Sequence, residues 1–328
     1  MGGLPFDPGR REVYVPGELF AGFEPKRPAT FGDTPDFACY RWFVATGRGT
    51  PMDADHAVQR AVHDAHVTFD LGGVISGRRV VAIMGGHQVP RDSDDYRRVA
   101  ELARDLARRE MLVCTGGGPG AMEAAHVGAS LASHPVGALD DTIDRLADAP
   151  RMPHLQGIVE SNGQVDPWLV EEAGEWFAPA WRASREIRDP VPTLSIPTWH
   201  YGHEPTTPFA THIAKLFQNS VREDGLITIA RQGLVFTRGS AGTLQEVFQD
   251  ATQNFYARYP EHFSPMVFLD RDYWSRVLPV RPLLDALFAT AGDAVRARAD
   301  ALLLVTDDIA EAAEHLDRFS ATRSNLER

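Results

Sequence analysis

Lysine is nearly absent from this 328-residue chain: Lys26 and Lys215 are the only two, and arginine carries the rest of the positive charge. A coding bias toward arginine accounts for the imbalance, yet the shortage excludes chemistry. No lysine follows either glycine-rich turn, so neither is a P-loop of the G-x-x-x-x-G-K-[ST] type. A pyridoxal phosphate enzyme would have to use Lys215 or Lys26 as its Schiff-base residue, which ranks that reading last. Cysteine is equally scarce. Cys39 and Cys114 lie far apart without metal-ligand spacing, and Cys114 sits in an apolar strand run, as a buried free thiol would. No uninterrupted apolar stretch reaches membrane-spanning length, and the opening MGGLPFDPGRREVYVPG lacks the apolar core of a signal peptide. The expectation is a cytoplasmic protein with no membrane partner. Basic surface is missing too: a net charge of −12 and a pI near 5.4 argue against nucleic acid as a partner. A small anion is compatible with that charge, because a local nest of N–H groups can hold a phosphate inside an acidic protein.

What the chain does have is two glycine-rich turns, Gly116-Gly117-Gly118-Pro119-Gly120 and Gly239-Ser240-Ala241-Gly242-Thr243. Each follows a short apolar run and precedes an amphipathic helical pattern, the arrangement that aims backbone N–H groups and a helix N-terminus at an anion. Around them the rhythm is regular. Apolar runs at 79–84, 111–115, 193–197, 234–237, 265–269 and 302–306 read as strands. Helical patterns are expected at about 92–109, 120–132, 165–188 (despite Pro179), 208–220 with an extension toward 230, 243–256, 273–290 and 307–320. Six strands alternating with helices, without an internal repeat, predict an α/β fold: a Rossmann-like, doubly wound, mostly parallel sheet with flanking helices. Residues 76–328 would form this nucleotide-binding domain. Residues 1–75, rich in Pro, Gly and aromatics and with one helix near 54–69, read as an N-terminal extension packed on it.

Gly116 to Gly120 departs from the dinucleotide fingerprint G-x-G-x-x-G, and no acid is placed for a ribose, so a mononucleotide fits better than NAD. The competing reading is a tight turn that needs glycine only for sterics. In the second turn the N–H groups of Gly239, Ser240, Ala241 and Gly242, with the Thr243 hydroxyl, make a phosphate cradle at a helix start. Glu246 lies one turn further on the same side as Thr243. Spacing alone leaves three readings of Glu246 open: a catalytic carboxylate, a first-turn acid complementing the helix dipole, or a T-x-x-E capping-box partner of Thr243. G-S-A-G is not a G-x-S-x-G nucleophile elbow, which argues against Ser240 as a hydrolase nucleophile. His63 and His66 around Asp64, and His200, His203 and Glu204, are clustered without zinc spacing and read as hydrogen-bonded or solvated. Trp199 or Tyr201 stands where a base could be stacked, with a packed aromatic loop as the equal alternative.

GGGPGAMEAA at 116–125 and RGSAGTLQE at 238–246 resemble the paired motifs GGGxxGxM and PGGxGTxxE of the LONELY GUY (LOG) family, often mislabelled lysine decarboxylases, and of the related bacterial nucleotide 5′-monophosphate nucleosidases. The resemblance spans roughly residues 78–310. It implies hydrolysis of the N-glycosidic bond of an AMP-like nucleoside 5′-monophosphate to free base and ribose 5-phosphate, with no metal and no cofactor. It also implies a phosphate and nucleotide site formed by both turns and Met122, and a homodimer or larger assembly. By that resemblance Glu246 matches the catalytic glutamate and Arg222 the catalytic arginine, with Arg185 a weaker match. Val247, Phe248, Phe255 and Tyr256 would serve a subunit interface or simply the core. Arg238 and Ser240 depart from the family pattern at a proline and a glycine. The rival reading is a non-catalytic binder or carrier of a nucleotide or phosphorylated cofactor, as in the molybdenum cofactor carriers of similar fold.

Overall fold

Every strand pairing in the sheet is parallel, and the strand order reverses at the first strand. The computed structural model describes residues 3–257, 259 and 262–326. In chain order the elements are α1 (Pro16–Leu19), α2 (Pro35–Ala45), α3 (Ala54–Ile75), β1 (Arg79–Met84), α4 (Asp94–Arg108), β2 (Met111–Thr115), α5 (Ala121–Ser130), α6 (Gly137–Leu146) and α7 (Pro167–Glu186). There follow β3 (Leu194–Ser195), β4 (His212–Ile213), α8 (Asn219–Ile229), β5 (Leu234–Phe236), α9 (Ala241–Phe255), β6 (Met266–Leu269), α10 (Arg281–Ala289), α11 (Asp293–Leu302), β7 (Leu303–Thr306) and α12 (Ile309–Leu326). The sheet order is β4-β3-β2-β1-β5-β6-β7. This is a Rossmann-like, doubly wound α/β fold. Its topological switch point lies between β1 and β5, where such sheets open a crevice at their carboxyl ends.

Alternation along the strands divides the core between the two faces. Val81, Ile83, Val113, Val235 and Val267 pack with α4, α5, α6 and α12. Ala82, Met84, Leu112, Cys114, Phe236 and Phe268 pack with α8, α9, α10 and the N-terminal segment. That segment supplies a layer of buried aromatics: Phe20 and Phe31 meet Phe177 of α7 at 4.5 and 5.5 Å between ring centroids, and Phe6 meets Phe217 at 4.7 Å. Tyr14 also exchanges two backbone hydrogen bonds with Ile213, at 2.8 and 2.9 Å, and so covers the outer edge of β4. An open strand edge would otherwise expose unpaired backbone groups.

The helix expected at 208–220 is not formed. This stretch contains β4, and α8 begins only at Asn219. Phe209, Ala210, Ile213, Ala214, Leu216 and Phe217 are all buried, so the apolar spacing records burial on several sides and not one helical face. The Thr193 and Thr211 side chains fix the strand instead: Thr211 Oγ1 accepts from the Thr193 N–H at 2.8 Å and Thr193 Oγ1 accepts from the Thr211 N–H at 3.2 Å. The expected 273–290 helix is also divided. A π-turn at Tyr273–Val277 precedes α10, and Pro279 falls in the break. By contrast α7 runs unbroken through Pro179.

Lys215 ties the N-terminal segment to this edge. Its Nζ donates to both Asp36 oxygens at 2.7 and 2.9 Å and to Thr206 Oγ1 at 2.8 Å, while Asp36 also accepts from Trp199 Nε1 at 2.9 Å. Both charges are buried, so removing one leaves the other uncompensated. We expect Lys215→Met to lower the unfolding free energy by about 3–5 kcal/mol, and Lys215→Met with Asp36→Asn to restore much of it. Urea titration measures both, and a loss below about 1 kcal/mol in the single variant would show that the pair is not structurally required.

Candidate functional site

The cleft at the switch point gathers the loops that leave β1, β2 and β5. Its volume is about 240 Å³, and its wall includes Gly85, Gly86, His87, Gly116, Met122, Tyr201, Glu204, Arg222, Glu223, Ser240, Gly242, Thr243, Gln245 and Glu246. Arg222, Glu246, Gly116, Met122, Ser240, Gly242 and Thr243 therefore line one cavity. Gly117, Gly118, Gly120, Gly239 and Ala241 belong to the same two turns but do not line it. Arg185 lines a separate cavity of about 480 Å³ beside Pro16 and Phe209.

The first glycine turn is a platform. Gly117 (φ +76°) and Gly120 (φ +68°) occupy the left-handed region that favours glycine. The Gly117 N–H donates to Thr115 Oγ1 at 2.9 Å, the Gly118 N–H lies 3.4 Å from Met122 Sδ, and the Ala121 N–H donates to the Gly86 carbonyl at 3.1 Å. These donors are engaged within the protein. What the turn provides is room: a Cβ on Gly116 would collide with the Arg222 guanidinium. Arg222 is buried near the start of α8, and its Nε donates to the Ile196 carbonyl at 3.0 Å. The turn that leads into α8 is held from the N-terminal segment. Asp64 accepts from the Phe217 N–H at 3.0 Å and the Gln218 N–H at 2.8 Å. His63 bonds Asp64 at 2.9 Å and Tyr14 at 2.8 Å. His63 and Asp64 are thus structural. Among the described residues no group of three or more His, Cys, Asp or Glu could hold a metal ion.

The second turn opens α9 at Ala241, with Ser240 as an N-cap residue whose side chain makes no capping bond. The N–H groups of Ala241, Gly242 and Thr243 consequently belong to the first helical turn, where backbone donors lack intrahelical partners. This numbering removes two readings of Glu246. Thr243 is the third helical residue and not the cap, so no capping box exists. Glu246 lies in the second turn, and no acid occupies the first. Arg238 turns away from the cleft: it pairs with Asp270 and, at 3.6 Å, with Asp95. The Tyr273 hydroxyl donates to the Gly239 carbonyl, fixing the turn from behind.

Three carboxylates and one guanidinium face the cavity. Glu223 is engaged, accepting from Asn219 Nδ2 at 2.8 Å and Gln245 Nε2 at 2.6 Å. Glu246 makes no hydrogen bond or ion pair among the described residues. It is half-buried and lines the cleft. Loss of hydration raises that carboxyl from 4.5 to about 7; the Arg222 charge opposes the shift and Glu223 reinforces it. Glu204 is likewise raised by burial, against the opposing influence of His87 and Arg222. In the sequence Glu204 belongs only to an unassigned histidine cluster, and nothing in its neighbours marks it as part of the cleft wall. Of the two aromatics on that loop, Trp199 is fully buried and stacks on Phe217 at 4.4 Å, while Tyr201 is 39% exposed and lines the cavity. No protein-family model matches this chain, and no curated protein matches it.

The folded protein holds the Glu246 proton more tightly than an unfolded chain would. Its carboxyl therefore imposes no penalty below about pH 4.5 and destabilises the fold as pH rises through about 7. We expect Glu246→Gln to raise Tm relative to the parent protein at pH 8 and to leave it unchanged at pH 4.5. Thermal melts across that range check this, and a pH-independent difference would refute the shift.

Proposed function

We propose that the protein hydrolyses the N-glycosidic bond of a nucleoside 5′-monophosphate, releasing free base and ribose 5-phosphate. The observation that carries this reading is the convergence of Glu246, Arg222 and the start of α9 on one cavity at the sheet's switch point. The first-turn N–H groups of α9 suit a phosphate. Arg222, held by Ile196, suits a sugar hydroxyl or phosphate oxygen. Breaking the ribosyl–nitrogen bond develops positive charge on the sugar, which an adjacent carboxylate stabilises while it takes a proton from the attacking water. Glu246 is unpaired and titrates near neutrality, which suits that base. The resemblance to the LOG motifs, through GGGPGAM and GTLQE, supports the same assignment. A homodimer belongs to this proposal: Val221, Phe248 and Tyr256 on α8 and at the end of α9 are 41%, 38% and 74% exposed, whereas Val247 is buried in the core.

Incubation with AMP, GMP, CMP, IMP and UMP, followed by chromatography for free base, tests the reaction. Base release is expected from at least one. Tight binding without release from any would favour the nucleotide or cofactor carrier instead. Glu246→Gln is expected to lower kcat about 10²–10⁴-fold with KM little changed. Because Glu246 acts as the deprotonated base, kcat/KM should fall as pH drops below about 7. An active Gln variant, or a flat acid limb, would remove Glu246 from the mechanism.

A further inference from the structure

We propose that Glu204 is a second catalytic carboxyl, the general acid that protonates the departing base. This rests on the glycosidase reading above and adds a residue that the family motifs do not contain.

Of the three carboxylates on the cavity, two remain without a hydrogen-bond donor. Glu223 is held by Asn219 and Gln245. Glu204, like Glu246, lines the cavity without a hydrogen bond to its side chain; the nearest imidazole nitrogens are His87 Nδ1 at 3.8 Å and His203 Nε2 at 4.0 Å, beyond hydrogen-bond length. Its position is fixed by the fold. The loop after β3 carries Glu204 over the first glycine turn, where a Cβ on Gly118 would stand 3.4 Å from Glu204 Oε2. The Glu204 N–H donates to the Tyr201 carbonyl at 2.8 Å, and the Thr207 N–H donates to the Gly117 carbonyl at 2.9 Å, so the loop is tied to itself and to that turn. Glu246 stands on α9, beside the opposite turn. Arg222 lines the same cavity and acts electrostatically on both carboxyls.

A nucleotide with its phosphate at α9 would lay its sugar across Glu246 and Arg222. Its base would then lie toward Met122, Tyr201 and Glu204. Two carboxyl groups flanking a scissile glycosidic bond is the arrangement that divides the work between an acid and a base. As the C1′–N bond breaks, its electron pair passes to the base, and the Glu204 carboxyl proton moves to a ring nitrogen or carbonyl oxygen of that base. Water oxygen bonds to C1′ and gives a proton to Glu246. Return of the Glu246 proton to solvent and reprotonation of Glu204 from solvent close the cycle, with one water consumed.

The test measures pH profiles of kcat for the parent protein and Glu204→Gln on whichever of the five nucleotides releases base fastest. Glu204 is faced by His87, His203 and Arg222, and Glu246 by Arg222 and Glu223, so His87→Gln and His203→Gln are run beside it. For Glu204→Gln the expectation is a 10²–10⁴-fold loss in kcat with KM within a few-fold, disappearance of the alkaline decline, and partial rescue by Glu204→Asp. The two histidine variants should retain the alkaline decline. Full activity in Glu204→Gln, or a uniform loss with the alkaline limb intact, would overturn the acid role while leaving the glycosidase reading in place. No base release by the parent protein from any nucleotide would overturn both.

Discussion

The backbone of Gly86 holds the two halves of the cleft together. Its N–H donates to the Arg238 carbonyl at 2.8 Å, just before the second glycine turn, and its carbonyl accepts from the Ala121 N–H at 3.1 Å, where α5 leaves the first. Gly86 itself follows β1, the strand at which the sheet reverses direction. One residue, through its two flanking peptide groups, therefore ties both glycine turns to the end of the central strand. The turns diverge because their strands lie on opposite sides of β1, yet they cannot separate. A side chain at Gly120 would strike this same carbonyl, so the turn must run close against β1. Small residues at 85, 86, 116 and 120 serve this close approach as much as any ligand.

Arg222 depends on a second, longer chain of contacts. The N-terminal segment contributes no wall to the cleft's glycine turns, but its α3 carries Asp64, which satisfies two backbone N–H groups immediately ahead of α8. An unpaired buried N–H costs about 1–3 kcal/mol, so Asp64 strongly favours the present path of the chain into α8. Tyr14 holds His63, His63 holds Asp64, and Lys215 with Asp36 fastens α2 to the same region. Through these bonds the aromatic-rich first 75 residues set the direction from which Arg222 enters the cavity. The two lysines of the chain thus differ sharply in circumstance, since Lys215 is a buried structural cation and Lys26 belongs to the exposed surface.

The parallel sheet and its crevice were legible because continuous apolar runs ending in glycine are what a strand buried on both faces requires. The doubly wound order followed from the strand–helix alternation. The same signal failed at 208–220, where burial by the N-terminal segment on one side and the sheet on the other erased any distinction between strand and helix. It also missed α2, α6 and α11, which lie in segments whose turns and prolines obscure the rhythm. At the site, the glycine turns and the Glu246 spacing were readable from local chemistry. Glu204 was not, since nothing in its neighbours announces that a loop after a two-residue strand will lie over Gly118. The orientation of Arg238 is hidden for the same reason: its partners Asp95 and Asp270 come from distant segments.

The cleft sets two requirements against each other. A phosphate binder benefits from positive surroundings, yet three carboxylates face this cavity beside a single arginine. If all three were ionised, they would repel the ligand as well as one another. Burial changes that balance, because desolvation favours the neutral form of Glu246 and Glu204 and so reduces the negative charge in the cavity. Glu223 is instead hydrogen-bonded by Asn219 and Gln245. The same desolvation leaves Glu246 poised to exchange a proton near neutral pH, at the cost of a fold less stable whenever that proton is lost. Burial thus lowers the charge carried by two of the cavity's three carboxyls while leaving Arg222 among them.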